Sequence, residues 1–513
     1  MRATDLRREL RASLDHASHV LALLEDPSST GQAEGGFLND PGLLEAIDAV
    51  AAFEDRITVI VGAGASIEAN LPSWPRLIRA VLEAVAERRV PEEARDGWVR
   101  AVEAEGPLAA AAVAEVLAGG EFVSLLRSAL YAGGQVRYVP QALARQVAWL
   151  KQKLGDSMTI ATANFDVLLE QAIDEETSLR VHSYVGQRRC PAGEAAVYHL
   201  HGRLASRYPR TGRIILSEAS YSMTQSRESW QDRFMSKALR DTLCLFVGLS
   251  FTDPNLIRWL YRNSSADGPN HVAIFVRQGE PDLEPAVRAS MELATRERWR
   301  RAHVTAVWAD FYGEVAQCLH EIGLRRIQSR VDDFETRVSR RYRRARRVFV
   351  PANQRRFQSL QDEMSGVLRE TLGVIRNQAD AAGIELGDES LGLGLWALDH
   401  ARKRLVLWAN ADRRHNDSAA LFEVPLEFAS EWVAVEAVTT GTVVQRDPDV
   451  YTSPWRLIRG VPVVVTESGD EGRAIVGAMT FTSRTDAEES ALTDSFLWQV
   501  DAFLQEVGAD FFA

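Results

Sequence analysis

Ile57 to Val61 reads ITVIV, five β-branched residues in a row, and runs directly into Gly62-Ala63-Gly64-Ala65-Ser66. β-branched side chains favour extended backbone, and a strand without polar alternation has to be covered on both faces, the condition of a strand inside a parallel sheet. Parallel neighbours need crossover connections, and the chain offers them. Further apolar runs at Met158 to Thr162, Ala196 to Leu200, Leu243 to Leu249, His271 to Val276 and Val304 to Trp308 are separated by helical stretches. Strands alternating with helices predict an α/β fold with a Rossmann-like, doubly wound parallel sheet.

At 513 residues the chain is too long for one hydrophobic core. Residues 1–50 read as an amphipathic helical segment with a Gly/Ser/Asp loop from Ser28 to Gly36. The sheet domain is expected over 51–330, with a helical insert at about 75–153, where Ala, Leu and Glu dominate. Residues 331–385 carry the arginine run RVSRRYRRARR, which reads as a solvated helix or linker, or as a phosphate-binding patch. Phe357, Leu360, Met364, Val367, Leu368, Leu372 and Ile375 then recur at helical spacing, a long amphipathic helix that could pair with a second copy of itself. From 386 to 513 the texture becomes α+β, with strands LGLGLWALD, KRLVLWAN, GVPVVVTES and AIVGAMTFTS and helices over 431–440 and 486–507.

With 46% hydrophobic and 25% charged residues, the chain is ordinary globular material. A formal net charge of -12 argues against a general nucleic-acid binder. Cys190, Cys244 and Cys318 lie far apart, so they offer neither a disulfide framework nor a zinc knuckle, and a cytoplasmic location is expected. The N-terminus is peppered with charges and offers no uninterrupted apolar run long enough for a signal peptide or a membrane span, and no later stretch does, so neither is expected.

Four segments at predicted strand ends can carry chemistry. Gly62-Ala63-Gly64-Ala65-Ser66 is either a structural turn or a cradle in which backbone N–H groups and a helix N-terminus receive a pyrophosphate. Ile67 occupies the place of the third glycine of GxGxxG, so the dehydrogenase fingerprint is not met. Thr162-Ala163-Asn164-Phe165-Asp166 is either an Asx turn capping the next helix or part of a ligand crevice, with Thr162, Asn164 and Asp166 as candidates. In Tyr198-His199-Leu200-His201-Gly202 each histidine can be a structural hydrogen-bonding group or a general base. Gly248-Leu249-Ser250-Phe251-Thr252-Asp253-Pro254-Asn255 puts Ser250 and Asp253 before a helix, where a phosphate or ribose could sit.

In this order GAGAS, TANFD, HLHG and GLSFTDPN resemble the motif series of the sirtuin family, over roughly 53–323. The forms GAGASIEANLPSWPRLI and GLSFTDPN resemble more narrowly a branch of bacterial anti-phage effectors that hydrolyse NAD to nicotinamide and ADP-ribose. The resemblance implies Asn164 orienting the ribose and attacking water, His201 as general base, Gly62, Ala63, Gly64 and Ser66 around the diphosphate, and Ser250 and Asp253 on the adenosine side. NAD would be the substrate and no metal would be needed. The protein-deacylase branch differs: its four zinc cysteines are missing, Ala163 replaces its usual Gln, and LPSWPR stands where it has IPDFR.

The segment from Leu391 to the end resembles a GAF domain, with Thr440-Gly441 ending a helix and IVGAM in a strand. Trp396, Trp408, Trp432 and Trp455 either line a pocket there or are core aromatics. The resemblances together imply an NAD glycohydrolase acting in abortive infection, regulated through the GAF-like domain. Its expected partners are a second copy of itself, a small-molecule or nucleotide signal, and a phage or defence-system protein trigger. Two other readings stay open: a non-catalytic NAD or ADP-ribose sensing module, and an NAD-dependent deacylase.

Overall fold

The computed structural model describes residues 38, 40–131, 138–206, 213–224, 229–263, 268–279, 283–328, 334–387, 389–428, 430–448, 453–465, 474–485 and 492–512. The expected helix and loop before residue 38 lie outside these. From Asp40 onward the chain enters the helix Pro41–Ala52, with the Asp40 carboxylate accepting the backbone N–H groups of Gly42 (2.9 Å) and Leu43 (3.2 Å).

Seven parallel strands form the first sheet: β1 (Ile57–Val61), β2 (Met158–Thr162), β3 (Val181–Tyr184), β4 (Ala195–His199), β5 (Leu243–Val247), β6 (His271–Val276) and β7 (Val304–Ala309), in the order β3-β4-β2-β1-β5-β6-β7. Every residue of β1 is buried because the strand serves two cores. Ile57, Val59 and Val61 point into one with Leu243, Leu245 and Val247, while Ile60 joins Cys244 and Phe246 in the other. The chain leaves β1 towards β2 and later returns to its opposite side with β5, so the winding reverses between β1 and β5. That reversal places a crevice at the carboxyl ends of these strands.

The strand β3 was not expected: VHSY is a half-buried edge with no apolar run, and pairing with β4 makes it a strand. The helices Trp74–Arg89, Arg95–Glu103, Pro107–Ala118 and Phe122–Leu130 form an insert with its own core, including Leu77, Val81, Leu82, Ala110, Ala114 and Leu126. The helix Ala142–Leu154, expected inside this insert, belongs to the sheet instead. Its Leu143, Val147 and Leu150 enter the sheet's core beside the helix Tyr312–Ile327. Contrary to the sequence expectation, Pro107–Leu130 is long and apolar enough by length and composition to cross a membrane. In the fold the stretch breaks at Gly119–Glu121 into two of the insert's helices.

The C-terminal unit is an antiparallel sheet of β8 (Leu391–Asp399), β9 (Arg404–Asn410), β10 (Glu423–Pro425), β11 (Val444–Arg446), β12 (Leu457–Val465) and β13 (Ala474–Ser483), ordered β10-β9-β8-β13-β12-β11, an α+β arrangement compatible with a GAF-like fold. The long helix Gln354–Ala381 lays Phe357, Met364, Leu368, Leu372 and Ile375 on the core shared with β8 and β9, so this stripe is covered by its own chain rather than by a second copy; Val367 faces out. The arginine run is likewise not a free linker. It forms the helix Phe334–Phe349, which buries Phe334, Val338 and Tyr342 and pairs Arg337 with the fully buried Glu321. The four tryptophans do not converge. Trp408 is buried against Tyr342 and Phe512, Trp396 and Trp432 cluster with Phe422, and Trp455 lies under Arg484.

The two units meet closely where the helix Val433–Thr440 ends. Gln278 donates to the Thr439 hydroxyl (3.2 Å) and accepts the Tyr312 N–H (3.1 Å), and a Cβ on Gly313 would stand 3.0 Å from the Thr439 carbonyl oxygen. Gly441, at φ +70°, lies against Ala142. The next residue, Leu143, donates its N–H to Glu68 (3.0 Å) and touches Gly248.

Candidate active site

Strand register brings the four motifs to one edge. Val61 is level with Thr162 and with Val247, and Thr162 is level with His199, so the residues that follow all four strands leave the sheet in one row. At the reversal point the two glycine turns touch. Gly62 N–H donates to the Val247 carbonyl and Gly64 N–H to that of Gly248, both at 2.9 Å. A Cβ on Gly62 would collide with the Gly248 carbonyl oxygen, and one on Gly64 would come within 2.7 Å of Gly248 Cα. Glycine is needed here to let two backbones meet. Gly248 adopts φ +65°, the left-handed region that favours glycine.

Behind this turn lies a hydrogen-bonded chain. Asn164 donates both amide hydrogens inward, to the Gly62 carbonyl (2.8 Å) and the Ser66 hydroxyl (2.7 Å). Ser66 in turn donates to Asp166 (2.6 Å), which also accepts the Leu168 N–H (3.0 Å). With its nitrogen fixed, the Asn164 side chain presents only its oxygen to anything outside the chain. Thr162 works from beneath, donating to the Val61 carbonyl (2.9 Å) and accepting the Asn164 N–H (3.0 Å). Ser66, Asp166 and Thr162 are buried and satisfied within the protein. Burial raises the Asp166 carboxyl above the usual carboxylate range, although Ser66 and the Leu168 N–H oppose it.

The two histidines stand in different environments. His199 is fully buried, with Nδ1 against the Asn164 carbonyl (3.2 Å) and Nε2 against Glu170 (2.7 Å). Burial works against its charge, but Glu170 and the Asn164 carbonyl outweigh that, so its pKa is raised; that of Glu170 is lowered by His199 despite burial. His199 is a double donor that holds the Asn164 backbone. His201, 4% exposed, has Nε2 on Asp253 Oδ2, while its Nδ1 is buried and has no partner among the described residues. Tyr221 lies over its ring at 5.4 Å, and Trp74 stacks on Tyr221 at 6.4 Å with an interplanar angle of 8°.

Asp253 therefore does not lie open on the adenosine side, as the motif resemblance implied. One oxygen caps the helix Pro254–Asn263 through the Asn255 N–H (2.8 Å) and the other binds His201. Burial disfavours its charge, but His201 and the backbone N–H groups of Asn255 and Leu256 prevail and hold it below the usual carboxylate range. Ser250 is exposed and shares a 2.7 Å hydrogen bond with Thr252. Sequence reasoning missed Tyr221 and Trp74, since an aromatic residue within or at the start of an ordinary helix carries no signature. A cleft of about 1640 Å³ opens beside the glycine turn, between Gly64, Ile67 and Asn70 and the C-terminal unit's Gln445, Arg459 and Gln505. Among the described residues no group of His, Cys, Asp and Glu is arranged to hold a metal ion.

Residues 158–302 match the family model described as SIR2-like domain. Over 176 residues the chain is 28% identical to the NAD(+) hydrolase ThsA of Bacillus cereus (strain MSX-D12), a match covering 32% of this chain and 36% of that protein. The match therefore spans little more than a third of the relative's length. Among solved structures, a Sir2 homolog–NAD complex aligns at 14% identity over 56% of this chain and 94% of that one, with a TM-score of 0.27. The GAF domain from Acinetobacter phosphoenolpyruvate-protein phosphotransferase aligns at 15% identity over 35% of this chain and 96% of its own, with a TM-score of 0.19.

Proposed function

We propose that the chain is an NAD glycohydrolase that cleaves NAD to nicotinamide and ADP-ribose. The observation that carries this reading is the Asn164 amide, locked with its oxygen outward, on the same strand-tip edge as His201 and the paired glycine turns. The SIR2-like match and the NAD(+) hydrolase relative support the choice of NAD.

In this reading the diphosphate lies along the Gly62–Gly64 turn and the nicotinamide ribose reaches Asn164. The bond between ribose C1′ and the pyridinium nitrogen breaks, its electron pair leaving with nicotinamide. Water oxygen forms the new bond to C1′ and its proton passes to His201. The departing group leaves an oxocarbenium-like ribose, so the protein's task is chiefly to hold the ring and place the water. Ser250, at the exposed end of the edge, is left for the adenosine half.

The physiological reading is that of a toxic effector in an anti-phage system, which rests on the motif resemblance. An NAD hydrolase that never switched off would kill its host. Regulation is assigned to the C-terminal unit, whose Gly441 abuts Ala142 one residue from Leu143, the residue that touches Gly248 and is tied to Glu68. A signal received there would move the glycine turn through a path two residues wide.

The test is chromatographic measurement of nicotinamide from NAD with the full chain, Asn164→Ala and His201→Ala. The reading expects release by the wild type and its loss in both folded variants. NAD recovered intact from every sample, while still binding tightly, contradicts it and favours a sensing module.

A further inference from the structure

Resting on the hydrolytic reading, we infer that Asp253 is a positioning residue which fixes His201 in the Nε2–H form, making Nδ1 the atom that takes the proton of the attacking water. Three observations lead there. Both oxygens of Asp253 accept hydrogen bonds, one from the backbone at the start of the helix Pro254–Asn263 and one from His201 Nε2. A carboxylate bound by backbone N–H groups is an acceptor only, so the hydrogen between it and the imidazole belongs to Nε2. The backbone half of this arrangement keeps the carboxylate from turning away, since the Asn255 N–H anchors its other oxygen at 2.8 Å.

The second observation is the state of Nδ1. His201 is 4% exposed, yet Nδ1 has no partner among the described residues, in a side chain whose other nitrogen is firmly held. A buried polar atom left unmatched is costly in a folded protein and calls for a partner or a role in the chemistry. A water or ribose hydroxyl entering with the substrate supplies one. The contrast with His199 is informative: both of its nitrogens are engaged, by Asn164 and Glu170, which leaves it no site for a proton from substrate.

The third is the aromatic cover. Tyr221 lies against the imidazole and Trp74 against Tyr221, so the His201 ring is packed as well as hydrogen-bonded. The Tyr221 phenol also lies beside Asp253, and burial together with that negative charge makes it hard to ionise. Tyr221 is thus a neutral phenol that hydrogen-bonds Asp253 and packs on the imidazole that Asp253 holds. In the reaction the C1′–nitrogen bond breaks towards nicotinamide, the C1′–oxygen bond forms from water, the water proton goes to Nδ1, and solvent later removes it. No oxidant or metal enters the balance.

The experiment is nitrogen NMR of the full chain labelled in histidine, with the His201 signal assigned by its loss in His201→Gln, combined with kinetics of Asp253→Asn. Asparagine still caps the Pro254–Asn263 helix but can donate its NH2 to Nε2. The expected result is an Nε2–H tautomer in the wild type, a switch to Nδ1–H in D253N, and a fall in kcat on the order of 10²–10⁴ with KM changed little, as an aspartate-to-asparagine exchange behind a catalytic histidine produces elsewhere. Tyr221→Phe keeps the ring and should keep the tautomer. A wild type in the Nδ1–H form, or a D253N chain that retains both tautomer and kcat, overturns the inference. The tautomer needs no turnover to be read, so a wild type with the expected tautomer that releases no nicotinamide overturns the hydrolytic reading alone.

Discussion

Asn164 and Ser66 are joined by a 2.7 Å hydrogen bond that decides which end of the Asn164 amide faces outward. Ser66 accepts that hydrogen because its own goes to Asp166, so one residue in the glycine turn orients a residue beyond β2. Replacing Ser66 by alanine frees one amide hydrogen and strips a donor from buried Asp166. The expected effect of Ser66→Ala is a loss of about 1–3 kcal/mol of stability and a fall of at least about tenfold in kcat. Thermal denaturation and nicotinamide release measured on the same sample check both.

The glycine contact at the reversal point gives a sharper prediction. Gly62→Ala places a methyl group on the Gly248 carbonyl oxygen and must spread the tips of β1 and β5. ADP-ribose affinity should fall by at least about tenfold, read by calorimetry, while Gly366→Ala, in open space on the Gln354–Ala381 helix, should change nothing.

The sequence marks β1, β2, β6, β8 and β13 to the residue, because each is a run whose burial its own composition demands. β3, β10 and β11 have no such run; they are strands through pairing with β4, β9 and β12. The site divides in the same way. That Asn164 and His201 share an edge is legible from motifs placed at ends of parallel strands. That Asp253 turns back to His201, 52 residues away, and that Tyr221 covers the ring are products of loop geometry, which local pattern does not encode.

Coupling between the units is tested at Gly313. A Cβ added there would stand 3.0 Å from the Thr439 carbonyl oxygen, so the larger side chain of Gly313→Val should push the Val433–Thr440 helix away from the sheet domain. The rate of nicotinamide release should change by at least about threefold, with faster proteolysis between the units. An unchanged rate in a chain shown to have separated units would remove the assigned path of regulation.

Stability should also depend on pH through His271, at the start of β6. Burial lowers its pKa from 6.5 to about 4, against a backbone hydrogen bond at Leu239, and its Nδ1 accepts the Cys244 N–H at 3.2 Å. The unfolded chain therefore binds a proton that the folded chain refuses. Stability contributed by neutral His271 is present above pH 6.5, declines as pH falls, and levels off below about 4. The total change is about 3 kcal/mol. Denaturant titrations between pH 7 and 4 should show this slope in the wild type and a shallower one in His271→Phe.

In the proposed mechanism one sugar is held between Asn164 and His201, from the tips of β2 and β4, beside a glycine turn that lies 102 residues before Asn164. The most direct measurement is a crystal structure of Asn164→Ala grown with NAD. Intact dinucleotide is expected, with its diphosphate on the Gly62–Gly64 turn and C1′ of the nicotinamide ribose facing His201 Nδ1. NAD lodged instead in the cleft between the units, or missing from a crystal soaked to saturation, would contradict it.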